Sequence, residues 1–383
     1  MLTRMKGLSM NGKIKGMAGK RGAGALIAVA GATLVLATGA HLASFGQAAK
    51  AGDTQGGGAA AGQRVAALSP WIDTHVHLEK AVADGSIEIA VHSMQAENTA
   101  RYVFLPSPFP EESKGSFDIE LIESASKKYT DKIAPMGGGG TLNPMIEEAV
   151  HAGSVSPDLE KKFKDRAEQI ASLGAVGFGE LTAEHQPSAS TPAYESVPPD
   201  HPLFIALTDI AAAHNLPITL HMEAVAETMP FPKAWQVGST PVPKELHPNI
   251  PAFEKLLAHN PRAKIVWAHE GWDNTGARTV ALSRRLLQAH PNLYLELKVD
   301  PLAPGLNSPL TGGASGSIKP EWLKLFQDFP GRFVMGSDQH YPMPDNGPQR
   351  WQADVLLFNQ LPADLRQKFG IDNPTRIYNL KSK

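Results

Sequence analysis

From Leu68 onward, short apolar runs alternate with longer segments of helical spacing. The runs lie near 71–76, 101–105, 133–136, 175–181, 217–221, 264–269, 293–297 and 332–337. Each is short and continuously apolar, the pattern of a parallel strand covered on both faces. Between them, Ser86–Asn98, Asp118–Tyr129, Leu159–Leu173, Leu203–His214, Ala252–His259, Thr279–His290 and Pro320–Phe329 carry helical periodicity or composition. Eight strands separated by seven helical segments predict one closed (β/α)8 barrel, an α/β fold of the TIM-barrel type, over 68–383. A doubly wound open sheet would need a Gly-rich dinucleotide turn after an early strand, and none stands there. Gly137–Gly140 ends the third run with no Lys-Ser/Thr behind it, so it reads as a close backbone approach rather than a phosphate cradle. The insertions His185–His201 and Met229–Pro251 follow the fourth and fifth runs, at the end of a barrel where pockets are shaped.

Ahead of the barrel the pattern changes. Residues 1–51 hold seven Lys and Arg and no acid, and basic residues ending at Lys20-Arg21 lead into an uncharged stretch from Gly22 to Ala49. With Ala49-Lys50-Ala51 as a small-x-small site, this reads as a cleaved signal peptide, with Met17 among the candidate starts. The alternative is an uncleaved membrane anchor. The protein is therefore expected to be periplasmic or secreted, touching a membrane only if that segment is retained. Residues 52–67, with Gly56-Gly57-Gly58, read as a flexible linker. The formal charge of −2 hides an acidic body: beyond residue 51, 29 basic residues face all 38 acidic ones, a net −9. Nucleic acid is therefore an unfavourable partner. There is no cysteine, which excludes disulfides and thiolate metal ligands alike.

The chemistry sits at the strand ends. Trp71-Ile-Asp-Thr-His-Val-His-Leu78 places Asp73, His75 and His77 on one side of the first strand, and two imidazoles on rigid backbone suit zinc and similar ions. Glu180 ends the fourth run, His221 the fifth, His269 the sixth and Asp338 the eighth. A parallel barrel brings all these ends to one face. Burying so many polar groups together without a metal would be costly.

Those residues carry a resemblance. From about Leu68 to Leu380 the chain resembles the amidohydrolase superfamily, and within it the amidohydrolase-related branch that includes aminocarboxymuconate-semialdehyde decarboxylase. The matching features are Asp73-Thr-His75-Val-His77, the His221 and His269 strand ends, Gly336-Ser-Asp338, and the closing Asn373-Pro-Thr-Arg376-Ile-Tyr378. Glu270-Gly271-Trp272 stands where the branch often has a Gly pair, and Glu180 is similar to the carboxylate of relatives that bridge two metals.

The resemblance implies that His75, His77, His221 and Asp338 hold one divalent ion, zinc by expectation, with Asp338 as proton shuttle. If Glu180 bridges, His221 and His269 hold a second ion. Otherwise Glu180 orients a histidine, and His269 polarises the scissile group or protonates the leaving group. Glu223, Trp272, Lys298 and His340 are candidate substrate contacts, Lys298 for a carboxylate and Trp272 for a ring. Arg376 reads as a structural ion pair. The expected function is metal-dependent hydrolysis of an amide, ester or lactone bond in a small molecule by a metal-activated water. Its rivals are a metal-dependent non-oxidative decarboxylase, a deoxyribonuclease, which the −9 body disfavours, and a non-catalytic binding protein, which would have lost ligands. A homo-oligomer is compatible with the sequence.

Overall fold

In the computed structural model, the first apolar run is strand β1, Trp71–Leu78, buried along its whole length. The described residues are 65–78, 85–111, 116–187, 193–236, 238–299, 308–312, 316–342 and 349–381. The expected signal segment and most of the linker lie outside them. Ala67 is already buried, its N–H donating to the Glu97 carbonyl.

The other barrel strands are β2 (Thr99–Phe104), β3 (Ile133–Pro135 and Gly137–Gly138), β4 (Phe178–His185), β5 (Pro217–Met222), β6 (Lys264–Glu270), β7 (Leu293–Leu297) and β8 (Phe333–Met335 and Gln339–Tyr341). Two interrupted strands close the ring. The first half of β3 pairs with β2 and its second half with β4. The first half of β8 pairs with β7, Leu295 opposite Phe333, and its second half with β1, Val76 opposite Gln339. With β1–β2 and β4–β5–β6–β7 paired between them, the circuit is closed and parallel throughout, a (β/α)8 barrel.

Helices α1 (Ser86–Glu97), α2 (Ile119–Lys128), α4 (Pro157–Ser172), α5 (Pro202–His214), α6 (Ile250–His259), α7 (Val280–Ala289) and α8 (Pro320–Asp328) fill the seven expected segments. Their starts are locally encoded: Ser156 accepts from the Leu159 N–H at α4, and Thr279 from the Leu282 N–H at α7. Two further helices, α3 (Leu142–Ala152) and α9 (Arg350–Gln360), went unread in the sequence. Short α10 (Ala363–Gln367) and α11 (Asn373–Ile377) end the described chain. Among the described residues no helix is long and apolar enough to cross a membrane.

The glycine run is a close approach. A Cβ on Gly139 would stand 2.3 Å from the Pro106 carbonyl oxygen and 2.9 Å from that of Glu180, so a side chain there would push β4 out of place. The two insertions pack together: Glu195–Ser196 pairs antiparallel with the end of β4, and the Tyr194 ring meets Phe231 edge-on at 5.3 Å. Around them, Val225, Trp235 and Leu246 form a small core beside the C-terminal ends of β4 and β5.

Candidate metal centre

All six strand-end residues come together at the C-terminal mouth of the barrel. Glu180 is the centre of the group. Its Oε2 lies 3.4 Å from His75 Nε2 and 3.3 Å from His77 Nε2. Its Oε1 lies 2.9 Å from His221 Nδ1 and 3.1 Å from His269 Nε2. Asp338 Oδ1 stands 3.2 Å from His77 Nε2. One carboxylate thus faces two pairs of imidazoles, one pair with each oxygen.

The backbone aims these groups. Asp73 holds no place among them; its carboxylate accepts from the Ser337 N–H and hydroxyl and from the His75 N–H, tying β1 to the break in β8 that carries Asp338. Asp338 and His269 both sit in the left-handed region, at φ 53° and 65°. Such a conformation is uncommon for residues with a Cβ and concentrates at functional sites. Gly336 makes room for Glu296, whose Cδ would lie 2.5 Å from a Cβ there.

The hydrogen bonds test whether a cation fits. The Leu105 carbonyl can only accept, so His77 carries its proton on Nδ1, 3.0 Å away. Glu296 Oε1 likewise accepts from Nδ1–H of His75 at 2.9 Å. Both Nε2 lone pairs then point at each other across 3.0 Å, with carboxylate oxygens of Glu180 and Asp338 beside them. Lone pairs and anions facing one another in a buried site repel unless positive charge, a proton or a metal ion, sits among them. Against the opposing effect of burial, Glu296 and Glu180 push His75 well above the ordinary imidazole range, and Asp338 and Glu180 push His77 up too, so the group draws in positive charge. The donor set is all imidazole and carboxylate, which suits a divalent first-row ion. His221 and His269 with Oε1 of Glu180 form a second such group.

Charge around the centre is uneven. Burial alone would neutralise Asp338, but Lys298 and Arg350 outweigh it and hold the carboxyl well below its usual range. Lys298 is buried with its ammonium on Asp338 and 3.8 Å over the Trp272 ring, so it faces Asp338 rather than an open substrate space. Arg350 reaches the same Asp338 oxygen at 2.5 Å. His340 lies 3.3 Å from the other one. Burial, and then the Lys298 charge, hold His269 neutral well below the ordinary imidazole range.

Glu223, Trp272 and His340 line a cavity of about 220 Å³ beside the centre. The same wall holds His185, Gln186 and Arg350, which the sequence reading did not single out. Burial and neighbouring His221 push His185 down to about 3, so it is a neutral imidazole at that wall. Glu296 was missed as well, although a lone carboxylate inside the apolar run Leu293-Tyr-Leu-Glu-Leu297 was its available signal. Arg376 has no carboxylate partner among the described residues; it donates to the Gly331 carbonyl and the Tyr294 hydroxyl.

No curated protein matches the chain. Among solved structures, it is similar to a 2,6-dihydroxybenzoate decarboxylase from Rhizobium (13% identity, TM-score 0.48, 82% of this chain and 100% of that one). A dihydroorotase from Campylobacter jejuni is 19% identical, with a TM-score of 0.48 over 84% of this chain and 87% of that one. A probable 2-pyrone-4,6-dicarboxylic acid hydrolase from Acinetobacter baumannii is 12% identical, with a TM-score of 0.44 over 81% and 99%. The decisive match is to the sequence family described as Amidohydrolase, which aligns with residues 72–380, from β1 through the last helix and every residue of the centre. The chain belongs to the amidohydrolase family, whose enzymes use divalent metal.

Proposed function

We propose that the chain is a metal-dependent hydrolase of an amide, ester or lactone bond in a small molecule. The observation that carries this reading is the division of Glu180 between two histidine pairs, the geometry of a carboxylate that bridges two ions. In this reading His75, His77 and Asp338 would hold one ion and His221 and His269 the other, and zinc would suit both donor sets. Bound divalent ions supply Lewis acidity and an acidified water at neutral pH.

The chain's own groups do the rest. Asp338 Oδ1, facing His77 and His340, would relay the proton of the attacking water to the leaving group; Lys298 and Arg350, which hold the carboxyl well below its usual range, let it keep that proton only in passing. Oδ2 stays fixed by Lys298 and Arg350, so the shuttle works from one oriented oxygen. Glu296 and the Leu105 carbonyl keep His75 and His77 in the tautomer that presents Nε2. Trp272 gives the cavity an apolar wall, while Glu223, Gln186 and His185 offer polar atoms for orientation.

A non-oxidative decarboxylase is the second reading. Arg350 favours it, as a cation lining the cavity that suits a substrate carboxylate. The purified, metal-loaded enzyme separates the two on parallel panels. Turnover of esters, lactones or amides without carbon dioxide release supports hydrolysis. Carbon dioxide release from aromatic or muconic acids, with the first panel silent, overturns it.

A further inference from the structure

At the opposite end of the barrel, where β5, β6 and β7 begin, lies a cleft of about 450 Å³ lined by Asn215, Arg262, Lys264, Tyr294, Arg376 and Asn379 among others. No carboxylate lines it among the described residues. The Tyr294 ring is flanked by two guanidiniums, Arg376 at 5.5 Å and Arg332 at 5.2 Å.

The hydrogen bonds of these cations all end on neutral acceptors. Lys264 Nζ donates to the Ile377 carbonyl at 2.7 Å and the Asn379 side-chain oxygen at 3.4 Å. Arg376 donates to the Gly331 carbonyl at 2.6 Å and Tyr294 Oη at 3.3 Å. Arg332 donates to the carbonyls of Leu293 and His290. Elsewhere cations stand against carboxylates: Arg284 on Asp328, Arg285 on Glu254, Lys255 on Asp200 and Arg166 on Glu120. Among the described residues, Arg262, Lys264 and Arg376 thus line one cleft with no carboxylate on its wall, and Arg332 stands behind Tyr294. Burial first, and then the Arg376 charge, push Lys264 down to about 8.

We infer that this cleft is an anion site, separate from the metal centre, that takes a phosphate-bearing ligand. Arginine forks and an ammonium are the donors that recognise phosphate oxygens, while the side-chain amides of Asn215 and Asn379 each donate to the other residue at the cleft's edge. The volume exceeds one phosphate group, so the group is carried on a small organic skeleton or on a lipid headgroup. The two sources share this chemistry and are told apart by experiment.

The full metal-loaded chain is titrated by calorimetry with glycerol 3-phosphate, and in parallel sedimented with phosphatidylglycerol or phosphatidylcholine vesicles. Arg262→Glu reverses an exposed charge whose side chain bonds no group among the described residues. Lys264→Gln removes the half-buried ammonium, and His77→Ala disables the metal centre instead. The expected result is one glycerol 3-phosphate per chain, weakened at least about tenfold in Arg262→Glu and Lys264→Gln and unchanged in His77→Ala. Retention on phosphatidylglycerol alone, lost in Arg262→Glu, assigns the site to a lipid headgroup. The inference is overturned if neither probe binds, if both cleft variants bind like wild type, or if only His77→Ala abolishes binding.

Discussion

His75 Nδ1–H donates to Glu296 Oε1 across 2.9 Å, with neither side chain exposed to solvent. Glu296 therefore decides which nitrogen of His75 is left to face Glu180.

Glu296→Gln keeps the volume and removes the charge that holds this tautomer. Metal affinity should fall by roughly ten- to a hundredfold while the barrel stays folded. A chelator-competition titration with a circular-dichroism control measures both. Unchanged affinity would show that His75 is oriented by its strand alone.

Arg278 ties the two strands of the second histidine pair. It pairs with Glu270 at 2.9 Å and donates to the carbonyls of Met222 and Ala268, the neighbours of His221 and His269. Arg278→Met leaves Glu270 buried without its partner, and should cost about 3 kcal/mol in urea unfolding. The ion proposed for His221 and His269 should be lost before the one proposed for His75 and His77.

Lys298 offers a test between two roles. As the buried partner of Asp338, its replacement by Met should cost about 3 kcal/mol of stability and lower kcat. Had it gripped a substrate carboxylate, KM would rise with stability unchanged.

Glu147 on α3 is buried, its Oε1 has no hydrogen-bond partner among the described residues, and burial pushes the carboxyl from 4.5 up to about 7. Between those values the folded chain holds a proton that the unfolded chain has lost. Stability therefore declines as pH rises through that window. Glu147→Gln should flatten the decline, gaining on the order of 2 kcal/mol near pH 8 and little near pH 4. Thermal melts of both proteins across that range would show it, and parallel curves would contradict it.

The barrel was legible because covered parallel strands demand continuous apolar runs, and each of the eight carries one. Helix α3 was not, since Gly137–Gly140 precedes it and Pro144 stands in its first turn, both breaking signals. Helix α9 begins at Gln349 with no side-chain cap, so nothing local announced it. The six strand-end residues could be read because a parallel barrel sends every strand end to one face. Arg350 reaches Asp338 from a helix beyond β8, and His185 reaches the wall at the last residue of β4; both depend on how chain segments meet, which spacing along the sequence does not encode. Whether Glu180 bridges or merely orients a histidine stayed open in sequence for the same reason: it depends on which oxygen faces which ring.

Metal content per chain, for wild type and for Glu180→Gln, tests the central claim most directly. The protein is purified without chelator and analysed by elemental mass spectrometry. The account predicts two divalent ions in wild type, falling toward one in the variant, with hydrolysis lost alongside. A single ion in both proteins, or none even after zinc or manganese is supplied, would contradict it.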